Sequence, residues 1–334
     1  MKTKQHLIFG TGLIGSYLAG CFLQSKMDVH LVGRESSKEA LKNGFVISDF
    51  LDNKYTQTES PQFIEEDKIQ TFDFVWLTVK CTSITSIIEP IRAYINESTT
   101  IICCQNGFGS EDLIQASFPN NLVLCSVVGF NVAQTQDNHW LRSTDGTLVI
   151  EQHDNTKKFE RQLASGLLPV RLSSNIQAER WAKLQLNLAN SINAIANIPV
   201  KNMLENRGYR LIISDMMLEL LSVTDRLNLT LPKVSAVHGK SIPTVLRLPN
   251  FIFKLLAQKM LAIDPEARTS MSHDINNQRL TEIDFINGAV SQHAQKLGIK
   301  TPVNDGVIKL IKSIESGEQK TGFSYEQLQR KLKV

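Results

Sequence analysis

A glycine-rich turn close to the N-terminus constrains the fold more strongly than any other stretch of the sequence. A short apolar run at residues 6–9 ends at Gly10-Thr-Gly-Leu-Ile-Gly15, small and apolar residues follow at helical spacing, and a second apolar run covers residues 28–32. This order of strand, glycine turn, helix and strand is typical of the unit that binds dinucleotides. The first glycine permits a tight turn, the second lets the backbone approach a pyrophosphate, and the third lets the helix pack closely on the strand.

The same unit predicts which dinucleotide is bound. N–H groups at the start of the helix would face the phosphates. The residue that closes the second strand distinguishes the cofactors, because NAD enzymes place an acid there and NADP enzymes an arginine. Arg34 fits NADP(H), although Glu35 adjoins it, and the alternative is an ordinary exposed arginine. The predicted cofactor-binding residues of this region are Gly10, Thr11, Gly12, Leu13, Ile14, Gly15 and Arg34.

The first half of the chain alternates predicted strands and helices. Further apolar runs that predict strands lie at residues 45–48, 71–80, 99–104, 121–128, 146–151 and 167–172. In an open α/β sheet, ligands bind beyond the carboxyl ends of the strands. Lys80 and Asn106 each follow such a run, so we expect both beside the glycine turn. Taken alone, Lys80 would be read as a solvated lysine at a strand end, and Asn106 as a turn residue.

The second half of the chain has only helical periodicity. We place the domain boundary between residues 173 and 174, which gives an α/β domain over residues 1–173 and an all-α domain over residues 174–334. A helix is predicted over residues 179–197 and another over residues 269–297, which carries Ser270 and Glu282.

The helix predicted over residues 179–197 carries a narrow polar stripe. At 100° per residue, Lys183, Asn187, Asn190 and Ser191 fall on one side, with apolar residues around them. Asparagine is a poor helix former and an uncommon choice for a solvated face. The stripe is therefore either the solvent face of an amphipathic helix or the wall of a polar ligand cleft.

Composition excludes several classes of protein. The 334 residues are 42% hydrophobic and 21% charged, with a net charge of +3. The charges are interspersed, which argues against a nucleic-acid partner, and no apolar run is long enough to span a membrane. Five cysteines without a C-x-x-C pair, together with the lack of a signal-peptide pattern, predict reduced thiols and a cytoplasmic location. The seven histidines lack metal-ligand spacing, so we expect no metal.

Several separated motifs resemble those of the ketopantoate reductases (2-dehydropantoate 2-reductases), which reduce 2-dehydropantoate to pantoate with NADPH on the way to pantothenate and coenzyme A. The motifs occur in the family's order and extend over nearly the whole chain. They are Gly10-Thr-Gly-Leu-Ile-Gly15, Thr78-Val-Lys80, Gln105-Asn-Gly-Phe-Gly109, Trp181-Ala-Lys-Leu-Gln-Leu-Asn187, Thr269-Ser-Met-Ser-His-Asp274, Thr281-Glu-Ile-Asp-Phe-Ile-Asn-Gly288 and Gly298-Ile-Lys-Thr-Pro-Val-Asn304.

The resemblance implies a Rossmann-type N-terminal domain and a helical C-terminal domain like that of 6-phosphogluconate dehydrogenase, with the active site in the cleft between them. It implies that Lys183 is the general acid and that Glu282 orients the substrate or the lysine. It also implies that Asn187 and Ser270 bind substrate, that Arg34 holds the 2′-phosphate, and that Lys80 and Asn106 contact the cofactor near the nicotinamide.

The sequence also departs from the family pattern. A second asparagine commonly lies one turn beyond the position of Asn187; here Ser191 stands there and Asn190 precedes it, so both are substrate-binding candidates. Residues 232–265 look like extra material compared with compact members. The first substrate choice is 2-dehydropantoate, and the alternatives are another 2-oxo acid or a non-catalytic NADP(H)-binding sensor. The chain is expected to be a monomer or a homodimer.

Overall fold

A computed structural model describes residues 4–65, 70–136, 138–163, 166–234, 237–261 and 264–333. The chain forms two compact units, Met1–Glu179 and Arg180–Val334. The domain boundary at 173/174 stays a prediction. Of the extra segment at 232–265, residues 235–236 and 262–263 lie outside the described residues.

The first unit contains strands and short helices in alternation. Its strands are β1 (Gln5–Phe9), β2 (Asp28–Val32), β3 (Phe45–Asp49), β4 (Lys54–Gln57), β5 (Gln62–Phe63), β6 (Phe74–Leu77), β7 (Thr100–Cys103), β8 (Leu122–Val128), β9 (Val132–Gln136), β10 (His139–Arg142), β11 (Leu148–Glu151) and β12 (Val170–Ser173). Its helices are α1 (Leu13–Gln24), α2 (Glu35–Leu41), α3 (Ile84–Ile91), α4 (Ser110–Ser117) and α5 (Phe159–Gln162), and short 3-10 turns lie at Cys81–Ser83 and Arg92–Tyr94.

The larger sheet has the strand order β12-β11-β8-β7-β6-β1-β2-β5. Neighbouring strands are parallel except for β11 and β8, which are antiparallel, so β11 and β12 run opposite to the other strands. Phe9 is in register with Val32 and with Leu77, and Leu77 is in register with Cys103. Because these four strands end side by side, the loops that follow them lie along one edge. The chain passes from β1 to β2 on one side and continues with β6 on the other, so the strand order reverses at β1.

The strand predicted at residues 45–48 forms, but it belongs to a second sheet with the order β4-β3-β10-β9. A buried ion pair links β3 to β10, since Arg142 Nη2 lies 3.1 Å from Asp49 Oδ2. Helix α1 packs against strands of both sheets, and Phe22 lies in the same core as Ile47 and Trp76. This two-sided burial explains why α1 is apolar nearly all round.

The second unit is almost entirely helical. Its helices are α6 (Ile176–Asn187), which begins before the unit boundary, α7 (Ala189–Ala196), α8 (Val200–Glu205), α9 (Arg207–Arg226), α10 (Ile242–Leu246), α11 (Asn250–Leu256), α12 (Gln258–Leu261), α13 (Ser270–Asn276), α14 (Asn287–Lys296), α15 (Pro302–Glu315) and α16 (Tyr325–Leu332). A small hairpin, β13 (Lys233–Val234) and β14 (Val237–His238), precedes a 3-10 turn at Gly239–Ser241.

Helix α9 is the centre of this unit and packs against α7, α8, α10, α14, α15 and α16. Met216 and Leu220 are fully buried on it. Glu219 of the same helix accepts hydrogen bonds from the backbone N–H groups of Val303 (2.8 Å) and Asn304 (3.0 Å), which stabilises the start of α15.

The predicted helices of this unit differ from the structure in two places. The helix at 179–197 is divided into α6 and α7 at Leu188, which keeps helical dihedral angles (φ −56°, ψ −32°). The prediction of one helix over residues 269–297 is wrong. Helix α13 ends at Asn276 because Gln278 adopts a left-handed conformation (φ +53°) and the Arg279 N–H donates back to the carbonyl of Asp274 (2.8 Å), a helix-ending pattern.

The described part of the extra segment packs on α9 and α6. The buried guanidinium of Arg210 donates to three backbone carbonyls, of which Leu246 (2.9 Å) and Leu248 (2.7 Å) belong to the segment, and it lies 4.0 Å from the ring centroid of Phe253. Gln185 Nε2 donates to the carbonyl of Gly239 (2.9 Å). Since Gln185 is two residues from Lys183, this contact lies on the opposite face of α6 from the lysine.

None of the helices in the described ranges is both long and apolar enough to cross a membrane. The five cysteines are free thiols and are buried.

Candidate functional site

At two of the three glycines predicted to bind the cofactor, close contacts within the first unit leave no room for a side chain. Gly10 follows β1 with φ +110°, and its N–H donates to the carbonyl of Val32 (2.8 Å). A Cβ atom on Gly10 would lie 2.6 Å from Val79 Cγ1, and one on Gly15 would lie 1.9 Å from the Gly10 carbonyl oxygen. Any larger residue at either position would force the turn, β6 and α1 apart.

Gly12 has a different environment. A Cβ atom there would meet nothing within 4 Å, so the packing of the protein itself does not require glycine at this position. Gly12 is the N-cap of α1, which has no side-chain cap and no acidic residue in its first turn. The first N–H groups of a helix lack partners within the helix and attract anions. The open space above Gly12 therefore fits the backbone approach of a pyrophosphate.

A buried hydroxyl group adds to this fit. Thr11 is 7% exposed, and its Oγ1 has no hydrogen-bond partner within the ranges that the structure describes. The Thr11 carbonyl accepts hydrogen bonds from Ser16 Oγ (3.2 Å) and Ser37 Oγ (3.1 Å), which fix the turn. A Cβ atom on Gly33 would lie 1.7 Å from Thr11 Oγ1, so glycine at 33 is also required.

Arg34 lies just beyond β2, at the same edge, and its side chain is exposed. The Arg34 carbonyl accepts from the N–H groups of Ser37 and Lys38 and begins α2. Lys38 Nζ lies 3.3 Å from Glu35 Oε2. Glu35, the acidic residue next to Arg34, is therefore paired within its own helix. The Arg34 guanidinium has no ion pair with any residue that the structure describes.

Hydrogen bonds connect the loops after β1, β6 and β7. Thr78 Oγ1 donates to the carbonyl of Gly10 (2.6 Å). Gln105 Nε2 donates to the carbonyls of Leu77 (2.8 Å) and Val79 (3.0 Å). These bonds hold the loop after β6 between the glycine turn and the loop after β7.

Lys80 and Asn106 are exposed in two of these connected loops. Cys81 Sγ lies 3.0 Å from the carbonyl of Asn106, so the two loops are in direct contact. The structure therefore brings the glycine turn, Arg34, Lys80 and Asn106 together at one sheet edge, where they fit a dinucleotide.

In the second unit, Lys183 and Asn187 are half-buried on α6, and Asn190 is half-buried on α7. Burial lowers the pKa of Lys183. Its ammonium group has no ion-pair partner in the part of the chain that the structure describes. Ser191 is fully buried, and its hydroxyl donates to the carbonyl of Leu188 (2.8 Å). Since this hydroxyl is used within the fold, we leave Ser191 out of the substrate-binding set.

Ser270 is exposed at the first position of α13. The preceding Thr269 caps this helix, and both its hydroxyl (3.1 Å) and its backbone N–H (3.1 Å) donate to Asn193 Oδ1. These bonds hold Ser270 beside the polar stripe of α7. Sequence reasoning missed Thr269 and Asn193, although Asn193 belongs to the same asparagine-rich stretch.

Glu282 is half-buried in the turn between α13 and α14 rather than on a helix. The preceding Thr281 donates its N–H (2.8 Å) and its hydroxyl (2.7 Å) to Glu315 Oε1 of α15. The ring of Trp181 on α6 contacts that of His293 on α14 edge-on, with 5.1 Å between centroids. The turn that carries Glu282 is thus held by α15. The helix that follows the turn, α14, packs on α6, which carries Lys183.

Comparisons with known proteins agree with this architecture. The family models described as "Ketopantoate reductase PanE/ApbA" and "Ketopantoate reductase PanE/ApbA C terminal" match residues 6–155 and 175–315. The chain therefore belongs to the ketopantoate reductase family, a family of oxidoreductases.

Individual relatives are distant. The 2-dehydropantoate 2-reductase of Archaeoglobus fulgidus is 23% identical over 95% of this chain and 100% of its own length. The PanE/ApbA family ketopantoate reductase of Ralstonia eutropha JMP134 has the same fold, with a TM-score of 0.78 and 23% identity over 94% of this chain and 100% of that one. A D-mandelate dehydrogenase, solved with NADH and anilino(oxo)acetate, has a TM-score of 0.74 and 20% identity over 94% and 99%.

Proposed function

We propose that this protein reduces 2-dehydropantoate to pantoate with NADPH. The observation that carries the proposal is Lys183, a half-buried residue whose ammonium group has a pKa lowered by burial and no ion-pair partner among the described residues. It lies on the polar stripe with Asn187 and Asn190. Membership of the family supports the reaction class.

The first unit would hold the cofactor. The N–H groups at the start of α1 and the backbone at Gly12 would contact the pyrophosphate, and the planar guanidinium of Arg34 would contact the 2′-phosphate. Lys80 and Asn106 would contact the nicotinamide half. When bound, the nicotinamide ring supplies a hydride to the substrate carbonyl carbon.

The second unit would supply the proton. As the carbonyl carbon accepts a hydride, its oxygen becomes an alkoxide that must be stabilised and protonated. Lys183 would donate that proton, because a lysine whose pKa is lowered toward the working pH is a better acid than a solvated one. Glu282 would accept a hydrogen bond from the substrate hydroxyl, and Asn187, Asn190 and Ser270 would donate to the substrate carboxylate.

A bulkier 2-oxo acid is the second candidate substrate. The likeness to D-mandelate dehydrogenase supports this alternative. A non-catalytic NADP(H)-binding sensor is less favoured, since it needs neither Lys183 nor Glu282.

Loss of reduced-nicotinamide absorbance with a panel of 2-oxo acids tests these candidates. The panel includes 2-dehydropantoate, 2-oxoisovalerate and phenylglyoxylate, each with NADPH and with NADH. The proposal expects the highest kcat/KM with 2-dehydropantoate and NADPH. A higher value with phenylglyoxylate supports the bulkier substrate, and cofactor binding without turnover supports the sensor. The oligomeric state, monomer or homodimer, stays a prediction that light scattering can check.

A further inference from the structure

The strand order assigns the two halves of a dinucleotide to two sides of β1. Arg34 follows β2 on one side, where the adenosine half would lie. The nicotinamide half must then extend over the ends of β6 and β7 on the other side. A cofactor contact on that side presupposes the proposed binding of a nicotinamide dinucleotide.

Gln105 lies on that side, two residues after the end of β7. Its Nε2 donates to two backbone carbonyls, those of Leu77 (2.8 Å) and Val79 (3.0 Å). A carbonyl oxygen only accepts hydrogen bonds, so Nε2 must face these two atoms and the two ends of the amide cannot be exchanged. The position of Oε1 is therefore determined as well.

The Oε1 atom of Gln105 is buried, and it has no hydrogen-bond partner among the residues that the structure describes. A buried carbonyl oxygen without a donor is unfavourable, and most such atoms in proteins are paired. The amide of Gln105 is fixed by its two other bonds, so it cannot rotate toward a different donor. A bound ligand would satisfy this oxygen if it carried an N–H or O–H group.

We propose that Gln105 Oε1 accepts a hydrogen bond from the nicotinamide–ribose half of the cofactor. That half offers two kinds of donor, the N–H groups of the carboxamide and the hydroxyl groups of the ribose. Because Nε2 is already bonded to the protein, the acceptor is held in place before the cofactor binds, and little side-chain entropy is lost on binding. Gln105 would thus contact the cofactor next to Asn106 and hold the loop of Lys80.

The test compares intact cofactor with a fragment that lacks the nicotinamide and its ribose, 2′-phosphoadenosine diphosphate. Gln105→Met keeps the length of the side chain and removes its polar atoms. Calorimetric titration should give a Kd for NADPH that is roughly three- to tenfold weaker than that of the wild type, as expected for one lost hydrogen bond. The Kd for the fragment should not change.

Thr78→Val is the matched control. Like Gln105→Met, it removes a side-chain hydrogen bond that holds the loop after β6. The bond that it removes goes to the carbonyl of Gly10, in the turn proposed to bind the pyrophosphate. It should weaken NADPH and the fragment by the same factor. If Gln105→Met also weakens both equally, or weakens neither, the proposal is overturned. If Gln105→Met does not fold, as judged by its thermal unfolding, Gln105→Leu makes the same deletion and is judged by the same criteria.

The acetylpyridine analogue of NADPH identifies the donor, because it lacks the carboxamide N–H groups. A wild-type to Gln105→Met affinity ratio near one for this analogue identifies the carboxamide and supports the proposal. An unchanged ratio identifies a ribose hydroxyl, provided that Gln105→Met causes the same loss of NADPH affinity in a Lys80→Ala background. Disappearance of the loss in that background would show that it acts through the loop of Lys80, and would overturn the proposal. Failure of the wild type to bind either NADPH or NADH would instead contradict the proposed function itself.

Discussion

The two units present their proposed functional groups in different ways. In the first unit the candidate cofactor site is made of backbone: Gly10, Gly15 and Gly33 lie in close contact with the loops after β1 and β6, and Gly12 leaves space for a ligand. In the second unit the proposed groups are side chains on α6, α7, α13 and a turn. A backbone site depends on steric fit and tolerates almost no added atom. A side-chain site depends on charge and burial, so a substitution there should change chemistry more than stability.

The largest expected effect is at Lys183. Lys183→Ala should lower kcat by about 100- to 10,000-fold, the usual contribution of a general acid. The Kd for NADPH should stay within about twofold of the wild type, since the proposed cofactor residues lie in the first unit. Steady-state kinetics and calorimetry measure the two quantities. Lys296→Ala, on the exposed end of α14, is the matched control and should behave as wild type. Equal turnover by both variants would remove Lys183 from the mechanism.

Substitutions in the glycine turn should change stability and steric fit rather than chemistry. Two of its glycines, Gly15 and Gly12, can be compared directly. Gly15→Ala places a Cβ atom 1.9 Å from the Gly10 carbonyl oxygen. It should lower the free energy of unfolding by about 3 kcal/mol through overpacking. Gly12→Ala meets no atom within 4 Å, so it should lower the free energy of unfolding by no more than about 1 kcal/mol, the preference for glycine over alanine at an N-cap.

Cofactor titrations complete this comparison. Gly12→Ala should fold normally and still lose about tenfold or more in NADPH affinity, because its methyl group occupies the space proposed for the pyrophosphate. Chemical denaturation and calorimetry measure the two effects. Normal cofactor binding by a folded Gly12→Ala variant would contradict the proposed placement of the pyrophosphate.

A buried histidine makes the stability of the first unit sensitive to pH. The ring of His6 stacks on Phe74, its Nδ1 accepts a hydrogen bond from Trp76, and burial lowers its pKa from 6.5 to about 4. The unfolded chain therefore binds a proton below about pH 6.5 that the folded chain does not accept until about pH 4. The free energy of unfolding therefore decreases as the pH falls from about 6.5 to about 4.

The expected loss is about 2 kcal/mol between about pH 7 and pH 5. Urea denaturation of the wild type and of His6→Phe at both pH values measures it. His6→Phe keeps an aromatic ring but has no proton to bind at this position. Between the two pH values its free energy of unfolding should therefore fall by about 2 kcal/mol less than that of the wild type. An equal loss in both proteins would show that His6 is not the group that titrates.

The smallest expected effect concerns cofactor choice. Arg34→Ala should raise the Kd for NADPH by about tenfold, the effect of losing one charge-assisted contact with phosphate, and leave that for NADH within about twofold. Binding titrations with both cofactors measure the ratio. Lys38→Ala, in helix α2 that follows Arg34, is a control for general loss of positive charge. An equal effect of Arg34→Ala on both cofactors would contradict a contact with the 2′-phosphate.

The contrast between the units also explains what could be predicted from the sequence. The positions of the glycine turn, Arg34, Lys80 and Asn106 followed from strand ends, because parallel strands in register bring their ends to one edge. The helical second unit followed from periodicity. Periodicity does not report which side of a helix is covered, so it groups Ser191 with accessible residues although Ser191 is fully buried.

Other features depend on tertiary contacts and could not be predicted. The turn at Glu282 depends on the left-handed Gln278 and on bonds from Thr281 to Glu315, two residues 34 positions apart. The capping of α13 by Thr269 depends on Asn193, 76 positions away. The bonds of Gln105 to the loop after β6 likewise join residues that only the sheet brings together.

The central claim is that Lys183 protonates the carbonyl oxygen that receives a hydride from the nicotinamide ring. A crystal structure with NADP⁺ and an unreactive 2-oxo acid analogue measures the distance between Lys183 Nζ and the carbonyl oxygen. The account predicts about 3 Å, a direct hydrogen bond, with Glu282 on the substrate hydroxyl. A bound analogue with its carbonyl oxygen against another donor, and Lys183 beyond the reach of a bridging water, would contradict it.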